Sequence, residues 1–148
     1  MTESVLRVYL MPECSSGAVI FEAPRSGDAG FDLRAAREYV LKPGAQALIS
    51  TGLKVAIPNG WVGIVKDRSS IALQRIYSHG GVIDSSYRGE IKLILSNHGE
   101  NAFEVKVGDK IAQLIIVPCL VNTQTVSDEA LLGDTERGEG GFGSSGRK

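Results

Sequence analysis

An all-β domain, an antiparallel sandwich or barrel, is what this 148-residue sequence predicts. Three observations carry that prediction. Short β-prone runs recur along the chain with Gly and Pro turn signals between them. Residues 90–96 alternate with period two, which places Ile91, Leu93 and Leu95 on one face. Helical patterning is confined to two short stretches, neither long enough to organise a fold. An apolar fraction of 43% is enough for one core, and the length suits a single domain.

The elements follow in order. Residues 48–51 and 54–57 are two short strands. Pro58-Asn59-Gly60 makes a tight turn, and Trp61-Val62-Gly63-Ile64-Val65 resumes at once, which predicts a hairpin. Ser69 or Ser70 caps a short helix over residues 71–75. After the strand at 90–96, residues 105–107 run into the turn Gly108-Asp109. Residues 111–117 are almost continuously apolar, which predicts a strand buried on both faces. Ser127, followed by Asp128 and Glu129, opens another helical turn that Gly133 closes. No linker precedes about residue 121, and there is no internal repeat. Residues 137–148 hold five glycines, the composition of a flexible tail. Yet Phe142, Ser144, Ser145 and several cations there could grip an anion attached to a flat ring. Such a segment is mobile when empty and orders over a ligand.

A net charge of −1 implies no general pull toward nucleic acid or anionic lipid, although local basic clusters can still bind phosphates. Cys14 and Cys119 form no C-x-x-C pair, which argues against a zinc site of that kind and for free, apolar thiols. His79 and His98 lack metal-ligand spacing and read as ordinary surface or loop residues. No apolar run reaches the ~18 residues of a membrane span, and no signal-peptide pattern opens the sequence. A soluble intracellular protein, cytoplasmic or nuclear, is expected.

Five segments carry residue types that a sheet core does not want. In Ala29-Gly30-Phe31-Asp32-Leu33 an acid sits between apolar residues. Asp67-Arg68-Ser69-Ser70 offers a cation and hydroxyls where a helix begins, donors that suit phosphate; a capped surface helix would look the same. Gly80-Gly81-Val82-Ile83-Asp84-Ser85-Ser86-Tyr87-Arg88-Gly89-Glu90 predicts a hairpin presenting Asp84, a candidate general base, and Tyr87, a ring able to pack on a sugar. In Gly108-Asp109-Lys110-Ile111-Ala112-Gln113-Leu114, the amide of Gln113 within an apolar strand is either structural or aimed at a ligand. The fifth segment is the tail.

Taken together and in this order, the five resemble the motifs of the trimeric deoxyuridine triphosphatases (dUTPases), over residues 24–146. The resemblance implies a jelly-roll-like β domain over residues 1–136 and a mobile arm over 137–148 that orders on the active site. It implies a homotrimer with active sites at the subunit interfaces, each built from three chains, and Mg²⁺ as cofactor. The implied reaction is hydrolysis of dUTP to dUMP and pyrophosphate, which keeps uracil out of DNA and supplies dUMP for thymidylate synthesis. Asp32 then matches the acid that holds the metal through water, and Arg68, Ser69, Ser70 and Gln113 match phosphate contacts. Asp84 matches the acid that orients the attacking water, and Tyr87 the ring that leaves no room for a 2′-hydroxyl. Backbone groups around Gly81, Val82 and Ile83 match the uracil-reading segment. In the arm, Arg137, Gly143, Ser144 and Ser145 match substrate contacts, and Phe142 the ring that stacks on uracil.

The sequence departs from the family pattern at four positions. Asp67 stands where Pro or Gly is common, Ser78 where many members have Asn, Asp28 where Ser is common, and Ser145 where Thr is usual. Two rival readings remain at this stage: a dCTP deaminase-like or bifunctional enzyme of the same superfamily, and a non-catalytic nucleotide-binding regulatory trimer.

Overall fold

Alternating apolar side chains decide which way each strand faces, and here they bring two sheets together over one core. The structure is a computed structural model and describes residues 5–14, 21–136 and 138. The first sheet has the order β1 (Arg7–Leu10), β4 (Gln46–Ala56), β8 (Glu90–Asn97), β6 (Ile76–His79). The second has the order β2 (Phe31–Arg34), β10 (Lys110–Pro118), β5 (Trp61–Lys66), β7 (Val82–Ile83). A small pair joins β3 (Tyr39–Leu41) to β9 (Phe103–Val105). Every pairing is antiparallel. The all-β, jelly-roll-like fold expected from the sequence is the one observed.

The core draws on both sheets. Ile49, Leu53 and Val55 of β4 and Ile91, Leu93 and Leu95 of β8 meet Phe31 and Leu33 of β2, Val65 of β5 and Ile111 and Leu114 of β10. Fully burying such a side chain contributes roughly 1.5–3 kcal/mol. The period-two reading of residues 90–96 therefore holds. Cys14 joins this core as a free thiol, and Cys119 is half-buried and also free.

Four expectations need correction. The two runs at 48–51 and 54–57 are one strand, β4, whose register with β8 breaks between Ser50 and Lys54. Gly52 supplies the break with a φ of +68°, and the strand continues beyond it. Neither predicted hairpin forms. Pro58-Asn59-Gly60 does turn the chain, but β4 pairs with β1 and β8 while β5 pairs with β10 and β7, so the turn carries the chain from one sheet to the other. Gly80 and Gly81 (φ +70° and +88°) make a second crossing, from β6 in the first sheet to β7 in the second. A Cβ on Gly81 would lie 2.9 Å from Val65 Cβ, so the crossing is packed tightly against β5. Finally, β10 is central in its sheet, yet Ile115, Ile116 and Val117 are only half-buried; burial on both faces stops at Leu114.

The short helix is present as α1 (Ser69–Ala72), beginning two residues and ending three residues before the expected 71–75. Arg68 occupies its N-cap position and no side chain caps it, so the serines lie in the first turn instead. The second helical stretch is a 3₁₀ turn, Glu129–Leu132, capped by Asp128, whose Oδ1 accepts the Ala130 N–H at 3.0 Å, and ended by Gly133. Among the described residues no helix is long and apolar enough to cross a membrane.

Candidate active site

Sheet pairing brings the first, second and fourth segments together. Asp32 on β2 is the register partner of Gln113 on β10, and Gln113 in turn is the partner of Lys66 at the end of β5. The chain leaves β5 directly into Arg68 and α1. Asp32, Arg68, Ser69, Ser70 and Gln113 therefore line one cleft of about 580 Å³. Arg68 Nε meets Asp32 Oδ1 at 3.0 Å, and Lys110 Nζ meets Asp32 Oδ2 at 2.7 Å. Three cations (Arg25, Arg68, Lys110), hydroxyls and three carboxylates (Glu22, Asp28, Asp32) thus line a shared space, and its cations and hydroxyls are donors that suit a multiply charged anion.

Lys110 is a cleft residue that the sequence did not reveal. It lies three positions from Gln113, so plain alternation would put the two on opposite faces. A bulge between Lys110 and Ala112 inserts one residue and restores both to the same cleft. The cleft also takes in Arg25 and Asp28. Asp28, a departure from the family pattern, accepts the Arg25 N–H at 2.9 Å and so closes its own turn.

Gln113 proves to be structural as well as a cleft residue. Its Nε2 donates to the Asp67 carbonyl at 3.0 Å, fixing the segment that presents Arg68. The Asp67 carboxylate accepts the Ser78 N–H at 2.8 Å and the Ser78 hydroxyl.

The third segment lies apart. Gly81, Val82, Ile83, Asp84 and Tyr87 do not line the cleft. Ile83 is half-buried against the core, Val82 and Asp84 are exposed, and a turn closed by Tyr87 N–H to the Asp84 carbonyl at 3.0 Å follows β7. The Tyr87 hydroxyl donates to the Glu90 carbonyl at 2.9 Å, and its ring covers Gly89 so closely that a Cβ there would stand 2.3 Å from the hydroxyl oxygen. His79 and His98 are exposed, as expected, but not independent: the Nε2 atoms of both lie within hydrogen-bond distance of Ser96 Oγ, at 2.6 and 2.8 Å. Arg137, Phe142, Gly143, Ser144 and Ser145 lie outside the described residues.

Glu90, the last residue of the third segment, locks the break in β4. Its Oε1 accepts the Gly52 N–H at 2.9 Å and the Ser50 hydroxyl, and Lys92 Nζ lies 3.7 Å from Oε2. Burial would raise its pKa, but the hydrogen bonds from Ser50 and Gly52 and the charges of Lys92 and Arg37 prevail and hold it below the usual glutamate value.

Among the described residues no group of three or more His, Cys, Asp or Glu could cage a metal. Carboxylates at a polyphosphate cleft still suit Mg²⁺, which keeps most of its water and binds through one or two of them together with substrate phosphates; of the three here, Glu22 pairs with Arg34 and Asp28 closes its own turn. Asp32 is the carboxylate that fits.

Fold and cleft together define an all-β protein with a polar cleft whose cations and hydroxyls suit a polyanion. The model of the dUTPase family matches residues 17–146 of this chain. The chain belongs to the dUTPase family, the enzymes that hydrolyse deoxyuridine 5′-triphosphate. It is 39% identical over 151 residues to the deoxyuridine 5′-triphosphate nucleotidohydrolase of Clostridium tetani, covering 99% of this chain and 100% of that one. It is 44% identical to the mouse (Mus musculus) enzyme of that name over 133 residues, covering 84% of this chain and 78% of that one. Among solved structures, a variant of the Staphylococcus bacteriophage 80alpha dUTPase with dUpNHpp superposes with a TM-score of 0.85 at 29% identity, covering 97% and 99% of the two chains. A variant of the dUTPase of phage phi11 of S. aureus, whose structure shows the coordination of a structural Mg(II) ion, gives 0.75 at 27% identity, covering 85% and 99%.

Proposed function

We propose that this chain hydrolyses dUTP at the α-phosphorus to dUMP and pyrophosphate, in active sites shared between the subunits of a homotrimer. The observation that carries the shared site is the division described above: one cleft gathers Asp32, Arg68, Ser69, Ser70 and Gln113, while Asp84 and Tyr87 stand outside it. A neighbouring chain that supplies the segment from Gly81 to Tyr87 completes the constellation.

In this reading Arg68, with Ser69 and Ser70, binds the triphosphate and stabilises charge on its oxygens. Asp84 accepts a proton from the water that attacks the α-phosphorus, and pyrophosphate departs with the P–O bond electrons. Mg²⁺, held to Asp32 through water, supplies charge neutralisation and orients the phosphate chain when bound. Backbone groups of residues 79–83, at the crossing between sheets, read uracil; a narrow fit there rejects a 5-methyl group, and unpaired polar groups reject cytosine. Tyr87 packs on deoxyribose and excludes a 2′-hydroxyl. Residues 137–148 close over the nucleotide, with Phe142 on the base, Arg137, Ser144 and Ser145 on the γ-phosphate, and Gly143 giving the backbone room to approach.

The test is pyrophosphate release from dUTP compared with dCTP, dTTP and UTP, with Mg²⁺ present. Release from dUTP alone is expected. Ammonia release from dCTP would instead establish the deaminase, and tight dUTP binding without pyrophosphate would establish a regulatory binding protein.

A further inference from the structure

Asp67 and Ser78, two of the departures from the family pattern, bond to each other. Asp67 directly precedes Arg68 in the segment leaving β5, and an acid there would repel a triphosphate if it faced the cleft. It does not line the cleft, whereas Arg68, Ser69 and Ser70 do. Its Oδ1 accepts both the backbone N–H (2.8 Å) and the hydroxyl of Ser78, and both residues are half-buried. Ser78 belongs to β6 in the other sheet, two residues before the Gly80–Gly81 crossing. On the far side of that crossing, the Gly81 carbonyl accepts the Val65 N–H at 2.8 Å. The Asp67 carbonyl, meanwhile, takes the Gln113 amide.

We infer that Asp67 and Ser78 are a positioning pair for the reaction, an inter-sheet clamp that sets Arg68, Ser69 and Ser70 at the cleft while turning the acid away from the polyphosphate. Charge-assisted hydrogen bonds of this kind are about twice as strong as neutral ones. Three anchors converge on one segment: the carboxylate to β6, the carbonyl to β10, and the neighbouring Arg68 to Asp32 on β2. Losing the first lets the start of α1 shift relative to the other two. The acid is then also free to swing toward bound phosphate. This inference rests on the dUTP reading of the cleft.

Steady-state kinetics of the full chain on dUTP, with melting temperatures measured alongside, provide the test. Asp67→Ala should raise KM about tenfold while kcat changes far less, because the lost contacts orient a phosphate-binding segment rather than the reacting water. Asp67→Asn keeps an oxygen that accepts the same two hydrogen bonds, so its KM should stay within about threefold of wild type. Ser78→Ala should raise KM severalfold, and adding it to Asp67→Ala should cost nothing more. An Asn variant as impaired as the Ala variant would overturn the clamp in favour of a role for the charge itself. Multiplying effects in the double variant, or a lowered melting temperature with KM unchanged, would overturn it too. If Asp67→Ala fails to fold, Asp67→Asn and Ser78→Ala alone still decide: the clamp requires a near-normal KM in the first and a raised KM in the second. A wild-type chain that releases no pyrophosphate from dUTP would refute the dUTP reading, whereas an active wild type with an unaffected Asp67→Ala refutes the clamp alone.

Discussion

At the scale of single residues, charges here are committed to partners, and the commitments can be tested. Asp84, exposed after β7, is the proposed base. Asp84→Asn keeps the side-chain shape but removes the basic oxygen, so kcat should fall by roughly 10²–10⁴ while a non-hydrolysable dUTP analogue still binds. A wild-type kcat would remove Asp84 from the mechanism. Glu90 makes a different prediction. Its folded-state pKa is lowered, because contacts from Ser50, Gly52, Lys92 and Arg37 outweigh the opposing effect of burial. A lowered carboxylate stabilises the fold fully above the ordinary glutamate pKa, about 4.3, and loses that contribution as pH falls through the folded value. Glu90→Gln should therefore flatten the fall in urea midpoint below about pH 4.3, compared with wild type. An equally steep fall in the variant would show that other carboxylates govern acid stability. Asp32, Arg68, Ser69, Ser70 and Gln113 were legible in the sequence because each breaks the apolar pattern of its element. Lys110 was not, because a bulge that no residue type announces moves it onto the face of Gln113. The Asp67–Ser78 bond escaped for another reason: the sequence showed two isolated departures and could not show that they touch.

At the scale of elements, β4, β5, β8 and β10 were legible in the sequence, β1, β2, β3 and β6 were not, and no strand's partner was. Residues 61–65 and 90–96 read correctly as strands because their local pattern is decisive. Both predicted hairpins failed because pairing depends on which sheet a strand joins, and a tight turn can serve a crossing as readily as a hairpin. The segment after β7 is the element where glycine chemistry bears on selectivity. With the Tyr87 ring resting on Gly89, a methyl group there must displace it. Gly89→Ala should lower stability by no more than about 1 kcal/mol, because the exposed ring can swing aside and gives up its hydrogen bond to the Glu90 carbonyl. If Tyr87 guards the 2′ position, the same change should also raise the kcat/KM for UTP relative to dUTP. A variant that loses stability yet keeps full discrimination would show that the ring's place over Gly89 does not govern the choice of sugar.

At the scale of the whole molecule, a core built from two sheets should stand without the last twelve residues. Deleting residues 137–148 is expected to lower kcat strongly and leave the melting temperature and oligomeric state unchanged. Unfolding on deletion would make the arm structural. Mixing arm-deleted chains with Asp84→Asn chains should recover part of the activity if arm and base reach a site from different subunits, and none, with mixed trimers verified, if they act within one. The arrangement of the strands has a further consequence, in time rather than in energy. Among the described residues no strand pairs with the one that follows it: β1 waits for β4, β2 for β10, β3 for β9, and even the nearest partners, β5 with β7 and β6 with β8, have another strand between them. No local hairpin can form early and guide the rest, and each pairing must close a long loop before it is repaid. Refolding from urea should therefore be slow, on the order of milliseconds to seconds, and should begin only when distant parts of the chain have met.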